Sequence, residues 1–244
     1  MNEVTIIILG SLIVFFAFYT RSLLGFGGAL ISIPLLVFFF DLKVAVPMEA
    51  VFEVILSLIL IRTEYKKINW KILIPIIIGS MVGTLIGTYF LQTFAIEILR
   101  KLLGVVIVIF SLNLLRKQIK QTLEVPNIIG FFAGVTGGIL GGVFGTSGPP
   151  FVLFLANKIK DKYTLRATLI GLFTVDFTWR IFIYFFSGLF TSEVIKYTLY
   201  LTPALILGTI LGSLTFFKVS ITEKRYKQLV AGLLILAGVL LILK

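Results

Sequence analysis

Apolar runs recur along the whole chain of 244 residues, separated by short charged or Gly/Pro-rich breaks. Most of these runs reach the roughly 17–25 residues that a helix needs to cross the hydrocarbon core of a bilayer. The composition agrees, because 59% of the residues are hydrophobic and only 14% are charged, whereas a soluble domain has about 45–50% and about 25%. The sequence therefore predicts an all-α integral membrane protein.

The absence of histidine and cysteine narrows the chemistry. It excludes disulfides, thiol catalysis, haem ligation by these residues and nearly all zinc sites, so we expect no metal and no cofactor. Proton transfer would have to use a carboxylate, a lysine or a tyrosine. The net charge of +11 does not indicate nucleic-acid binding, because the lysines and arginines lie in short loops between apolar runs, as membrane topology requires.

The breaks divide the chain into ten apolar segments. The first lacks a basic lead-in and a cleavage site, so we interpret it as a retained span rather than a signal peptide. The segments cover about 4–20, 22–40, 44–61, 72–92, 98–115, 126–141, 146–157, 165–190, 194–217 and 226–243.

The order of landmarks in the first half returns in the second half. Residues 46–62 align with 164–180, with an arginine at the end of each, and the glycine-rich stretch that ends at Pro150 aligns with 25–34. We therefore predict two transmembrane repeats, 1–120 and 124–244, which together form one membrane domain.

The distribution of charge predicts that the second repeat is inverted relative to the first. Each half has five segments. Because an odd number of spans ends on the opposite side of the membrane, the second half starts from that side and is inverted. If the termini lie outside, 16 of the 22 lysines and arginines fall in loops facing the cytoplasm, five fall on the other side, and Arg180 lies within a segment. This bias follows the positive-inside rule and indicates a multi-pass protein of a prokaryotic plasma membrane with both termini outside.

The stretch GGILGGVFGTSGPP at 137–150 predicts a broken helix at the centre of the fold. Two adjacent prolines do not fit a continuous helix interior, and a helix that begins inside the membrane presents free N–H groups and a positive dipole end to an anion. Paired Gly/Pro-interrupted segments are the best sequence indicator of a transporter site. The candidate anion-binding residues at the two breaks are Gly25, Gly27, Gly28, Gly145, Thr146, Ser147 and Gly148.

Close packing is the alternative explanation for the glycines. For the ladder that includes Gly79 and Gly83 we favour packing, because spacing by four residues suits helix contacts. We accordingly expect Gly145→Val to damage transport more than Gly83→Val, which would only loosen that packing.

Ionisable side chains within the segments are the remaining candidates, because they are costly in a bilayer. Arg180 can bind the anion or form a structural pair with Asp176 one helical turn earlier, and both interpretations are open. Glu53, one turn after Glu49, and Asp176 are the candidate proton-coupling residues, although Glu53 can also be a simple helix-end carboxylate. Arg21 is interpreted as a loop charge rather than part of the site.

The motifs GGVFGTSGPPFVLFL, GFGGALISIPLL and RATLIGLF together resemble the TauE/SafE family of membrane transporters, the proposed sulfite and organosulfonate exporters. The resemblance covers nearly the whole chain and implies a cell-membrane carrier of small sulfur-containing anions built from two repeats. Members often have a GGG-like run before the proline, whereas this chain has GFGGALISIP and TSG before its prolines, which leaves the particular anion open.

We therefore predict a secondary transporter, not an enzyme, that moves sulfite, thiosulfate or an organosulfonate by alternating access, with a proton or a sodium ion as the candidate coupling ion. The alternative is a membrane phosphatase acting on polyprenyl diphosphate, which would use the pair Glu49 and Glu53 with Ser147. The sequence speaks against it, because no arginine closely follows Ser147 and no histidine is present.

Overall fold

The structure is a computed structural model that describes residues 2–24, 27–115, 126–216 and 223–243. Over these residues the chain forms ten α-helices and one 3₁₀ turn at Tyr65–Lys67, with no strand. The helices are α1 (Glu3–Leu24), α2 (Gly28–Leu36), α3 (Leu42–Glu64), α4 (Trp70–Thr93), α5 (Ile96–Leu115), α6 (Asn127–Phe144), α7 (Gly148–Lys158), α8 (Lys162–Phe186), α9 (Ser192–Phe216) and α10 (Glu223–Leu243).

Six helices within the described residues are long and apolar enough to cross a membrane, namely α1, α3, α4, α6, α8 and α9. The prediction of an all-helical protein with several apolar spans is confirmed at this level. Helices α2 and α7 have 9 and 11 residues, which makes them about 14 and 17 Å long at about 1.5 Å per residue. Neither helix is long enough to cross the membrane by itself, so segments 22–40 and 146–157 do not form continuous spanning helices.

The chain divides into two compact units. The first consists of Met1–Ala45, Phe94–Lys120 and Lys196–Lys244, and the second consists of Val46–Thr93 and Gln121–Ile195. Each unit takes helices from both predicted repeats, so the units and the repeats are different divisions of the chain.

Helices α4 and α6 of the second unit pack backbone to backbone through their glycines. A Cβ atom on Gly83 would overlap the carbonyl oxygen of Val135, and one on Gly134 would overlap that of Ile76. Packing, the favoured explanation of the Gly79 ladder, is confirmed. The expectation that a side chain at Gly83 would only loosen the packing is wrong, because the neighbour is rigid backbone rather than a movable side chain.

The first unit contains a similar contact between α1 and α9. A Cβ atom on Gly208 would overlap the carbonyl oxygen of Phe15, and one on Gly212 would overlap that of Tyr19. Small residues allow helix backbones to approach this closely in membrane proteins, where apolar burial gives little drive for association.

Helix α8 begins at a well-formed N-cap. The side chain of Asp161 accepts hydrogen bonds from the hydroxyl and the backbone N–H of Thr164, at 2.7 and 2.8 Å. These two bonds, with the side-chain bond the stronger cause, hold the pKa of the exposed Asp161 below its usual range. The cap fixes where α8 starts and thereby the register of the charged residues further along it.

The contact between α4 and α6 predicts that Gly83→Ala destabilises the protein by about 1–3 kcal/mol, the usual cost of overpacking. The matched control is Gly232→Ala in α10, where a Cβ atom meets nothing within 4 Å. Because alanine has the higher helix propensity, this variant should be as stable as the wild type or more stable. Thermal unfolding of both purified variants in detergent measures the difference. Equal stability of the two variants would contradict the packing explanation.

Candidate functional site

The predicted break in the glycine-rich stretch is present between α6 and α7. Helix α6 ends at Phe144, and Gly145 follows in the left-handed region with φ 72°. The N–H of Gly145 still bonds to the carbonyl of Gly141 at 2.8 Å, so the helix ends in a left-handed C-cap. Pro149 and Pro150 fall in the first turn of α7, where a missing N–H costs nothing.

Three consecutive backbone N–H groups at this break have no acceptor within the described part of the chain. Among the described residues none accepts a hydrogen bond from the N–H of Thr146, Ser147 or Gly148. The site is nevertheless buried, with Thr146 3% and Ser147 1% exposed. Since buried backbone donors are almost always satisfied, these groups are suited to bind an anion.

Arg180 reaches the same break from α8. The side chain is 0% exposed, so it lies in the protein interior. One guanidinium nitrogen, Nη1, donates to the carbonyl of Gly145 at 3.0 Å, and the other, Nη2, donates to the hydroxyl of Ser147 at 3.1 Å. A positive charge is therefore held directly against the interrupted backbone.

Asp176 supplies the counter-charge one turn earlier on α8. Its oxygen Oδ2 accepts from Nη2 of Arg180, so the i, i+4 pair expected from the sequence is formed. The hydroxyl of Ser147 donates to the same oxygen at 2.8 Å, and the hydroxyl of Ser80 on α4 donates to Oδ1. Three side chains thus hold a carboxylate that is 3% exposed.

The side chain of Ser147 is shared between the two charges. It accepts from Arg180 and donates to Asp176, and it does not cap α7. A serine before a helix usually bonds to an N–H of the first turn. Here two of those positions are prolines, so the hydroxyl is free to join the charged network.

Three further side chains complete the network, and the sequence analysis missed them: Ser80, Phe177 and Tyr184. The ring of Phe177 lies 4.6 Å from the guanidinium carbon of Arg180, and the hydroxyl of Tyr184 donates to the carbonyls of Gly141 and Gly142 at 3.1 and 3.0 Å. Phe177 and Tyr184 lie three and four residues from Arg180, so helical spacing was the available signal. Ser80 carried none, because it comes from another helix.

The remaining predicted anion-binding residues belong to the other break. Gly27 is the N-cap of α2 with φ 98°, and Gly28 is the first residue of that helix. Both lie in the first unit, whereas Arg180 and the α6–α7 break lie in the second. Gly25 lies outside the described residues.

Glu53 is buried in α3, as is Glu49, and it remains a candidate proton-coupling residue. Within the described residues, the polar partners of Asp176 are Ser80, Ser147 and Arg180. Asp176 therefore lies directly against the cation.

The interpretation of Arg21 as a loop charge is wrong. Arg21 lies in the last turn of α1 and is 1% exposed. An apolar run ends just before Arg21, which favoured a loop, but the helix continues to Leu24.

The structure supplies the arginine beside Ser147 that the phosphatase alternative needs, but not the glutamate pair. An arginine does lie beside Ser147, because Arg180 reaches it from α8. Neither Glu49 nor Glu53 is a hydrogen-bond partner of Ser147, whose side chain contacts Asp176 and Arg180. The described site thus does not assemble the glutamate pair with the serine as that mechanism requires.

Comparison with known proteins points to transport. The family model described as "Sulfite exporter TauE/SafE" matches residues 10–241. A curated relative from Cupriavidus necator, named "Probable sulfite/organosulfonate exporter TauE", is 30% identical over 123 residues, which are 50% of this chain and 48% of the relative. The alignment thus spans about half the length of the curated relative. No solved structure matches the chain.

The burial of the Arg180–Asp176 pair predicts strong coupling between the two residues. Arg180→Gln and Asp176→Asn should each lower the free energy of unfolding by about 3–5 kcal/mol, because each leaves an uncompensated buried charge. The double variant should lose much less than the sum of the two, since no charge remains. Denaturant unfolding in detergent measures the cycle, and additive losses would contradict the pair.

The conformation of Gly145 predicts a graded response to substitution. Gly145→Ala should lower stability by about 1–2 kcal/mol, because a Cβ atom is strained at positive φ. Gly145→Asn should cost less, since asparagine tolerates the left-handed region. Thermal unfolding compares the two variants, and equal losses would show that the space around the residue decides rather than the backbone angle.

Proposed function

Because the chain belongs to the sulfite exporter TauE/SafE family, we propose that it moves a small sulfur-containing anion across the cell membrane as a secondary transporter. The proposed substrates are sulfite, thiosulfate and organosulfonates. The family and the six apolar helices identify a multi-pass membrane protein. The particular anion, the coupling ion and the alternating-access mechanism are parts of the proposal.

The arrangement at the α6–α7 break is the observation that supports anion transport. It combines a buried guanidinium, a serine hydroxyl and three N–H groups that have no acceptor among the described residues. A guanidinium donates through a planar fork that suits the oxygens of a sulfite or sulfonate group, and free N–H groups at a helix start add a positive dipole end. We propose that Gly145, Thr146, Ser147, Gly148 and Arg180 bind the anion.

The first repeat has a comparable break, and we propose that Gly25, Gly27 and Gly28 contribute backbone to anion binding. Gly27 and Gly145 both adopt positive φ shortly before a short helix. Only three described glycines have positive φ, the third being Gly188. The agreement between the two breaks supports two repeats of one design.

The helix contacts also support a repeated architecture. Under the proposed repeats α4 corresponds to α9, and α6 corresponds to α1. The glycine-mediated contact of α4 with α6 in the second unit then has its counterpart in the contact of α9 with α1 in the first. Together with the bias of basic residues, this supports inverted repeats with both termini outside the plasma membrane.

Uptake into proteoliposomes tests the proposal, using purified protein and four labelled anions: sulfite, thiosulfate, sulfate and taurine. We expect transport of at least one sulfur anion other than sulfate, with a pH gradient or a sodium gradient imposed in separate arms. Release of phosphate from a polyprenyl diphosphate, with no anion transported, would overturn the proposal in favour of the phosphatase.

Arg180→Gln should abolish transport or reduce it by at least about tenfold, because a charge-assisted interaction with the anion is lost. Arg62→Gln is the matched control, since Arg62 is exposed at the end of α3 and its loss should leave transport unchanged. Protein in the membrane fraction is measured for both variants. Wild-type transport by the Arg180 variant would reduce this arginine to a structural role.

A further inference from the structure

The proposed anion site already contains an anionic group, the carboxylate of Asp176. We propose that Asp176 is a tethered competitor for Arg180, and that the transported anion binds together with a proton that neutralises Asp176. This inference rests on the proposed function of the α6–α7 break and assigns its coupling ion as a proton.

Competition follows from the shared donors. Oδ2 of Asp176 accepts from the hydroxyl of Ser147 and from Nη2 of Arg180, and these are the donors proposed for the transported anion. One oxygen of a bound sulfite or sulfonate would need the same two hydrogens. The carboxylate and the anion therefore cannot both be fully bonded.

The site also has more donors than Asp176 can satisfy. Nε of Arg180 is buried and has no hydrogen-bond partner in the described part of the chain, and the N–H groups of Thr146, Ser147 and Gly148 lack acceptors as well. Buried unsatisfied donors are costly. A second acceptor group therefore belongs at this break, in addition to the carboxylate.

The charge balance explains why a proton is needed. With Asp176 ionised, the pair with Arg180 is neutral and gives an incoming anion no net attraction. A proton on Asp176 leaves a net charge of +1 at the buried guanidinium, where few competing charges screen it. Anion binding and proton uptake then favour each other, as linkage requires.

Among the described residues of the elements packed against α8, no ionisable group other than Arg180 bonds to Asp176. Helix α6 contains no ionisable residue, α4 presents Ser80 to the carboxylate, and Tyr184 of α8 itself donates to backbone carbonyls. The ionisable residues of α4, α7 and the 3₁₀ turn lie at the ends of these elements, and they are Lys71, Tyr89, Lys158, Tyr65, Lys66 and Lys67. Arg180 is thus the charge that lies against the Asp176 carboxylate.

Binding to purified protein in detergent tests the competition, with thiosulfate and methanesulfonate as probes. Both stay fully ionised over the range in which a carboxylate titrates, whereas sulfite takes up a proton itself. Calorimetry in buffers of different ionisation enthalpy counts the protons. For the wild type we expect tighter binding as the pH falls and uptake of about one proton per anion.

Asp176→Asn should change both the affinity for the probes and the proton uptake. At neutral pH it should bind the probes about 10- to 100-fold more tightly than the wild type, within the usual size of coupling between sites. Its binding should be independent of pH and take up no proton. Its thermal stability should be low without a probe anion and should rise when one is added, because the anion replaces the lost counter-charge.

The matched control is Asp161→Asn. It makes the same substitution on the same helix, but Asp161 is exposed and caps the N-terminus of α8. Asparagine is also a good N-cap, so binding and proton uptake should equal those of the wild type.

A second variant tests the idea without removing a charge. Ser80 bonds to Oδ1 of Asp176 and makes no bond to Arg180, so it is a positioning residue for the competitor alone. Ser80→Ala should weaken the hold on the ionised carboxylate and tighten anion binding by about two- to tenfold. This variant decides the question if Asp176→Asn does not fold.

Three results would overturn the inference. The first is that Asp176→Asn folds, binds the probes no more tightly than the wild type and takes up the same number of protons. The ion pair would then have a purely structural role. The second applies if Asp176→Asn does not fold: unchanged or weaker probe binding by Ser80→Ala would then also assign the pair a purely structural role. A wild type that binds neither probe and transports no sulfur anion would overturn the proposed function itself, and this inference with it.

Discussion

The contact of Arg180 with the interrupted backbone between α6 and α7 is the interaction on which the second unit depends. A helix that breaks inside an apolar protein exposes carbonyl and N–H groups that water cannot reach. The guanidinium satisfies the carbonyl of Gly145 and the hydroxyl of Ser147, and Tyr184 satisfies the carbonyls of Gly141 and Gly142. One helix, α8, thus supplies most of the polar groups that make the break tolerable.

Close packing of α4 against α6 makes this arrangement compact. The glycines let the two backbones touch, and Ser80, next to Gly79 on α4, bonds to Asp176 on α8. Helix α4 therefore takes part both in the close packing and in the charged network of this unit.

A buried ion pair beside unsatisfied backbone donors suits a carrier better than a rigid scaffold. Hydrogen bonds to Ser80 and Ser147 offset part of the cost of burying the pair, but the N–H groups of the break gain nothing from it. A transported anion would satisfy these groups and compete with Asp176 at the same time. Membership of a sulfite exporter family fits a site that exchanges one acidic group for another.

The membrane class and the helix break could be predicted from the sequence, which also offered the pairing of Asp176 with Arg180 as one of two interpretations. Each follows from local chemistry: the length of apolar runs, prolines that lack an N–H, and residues one helical turn apart. The burial of Arg21 and the bond from Ser80 to Asp176, 96 residues away, became visible only in three dimensions. Contacts of this kind depend on how closely two helices approach, and in a uniformly apolar sequence the periodicity does not show which faces meet.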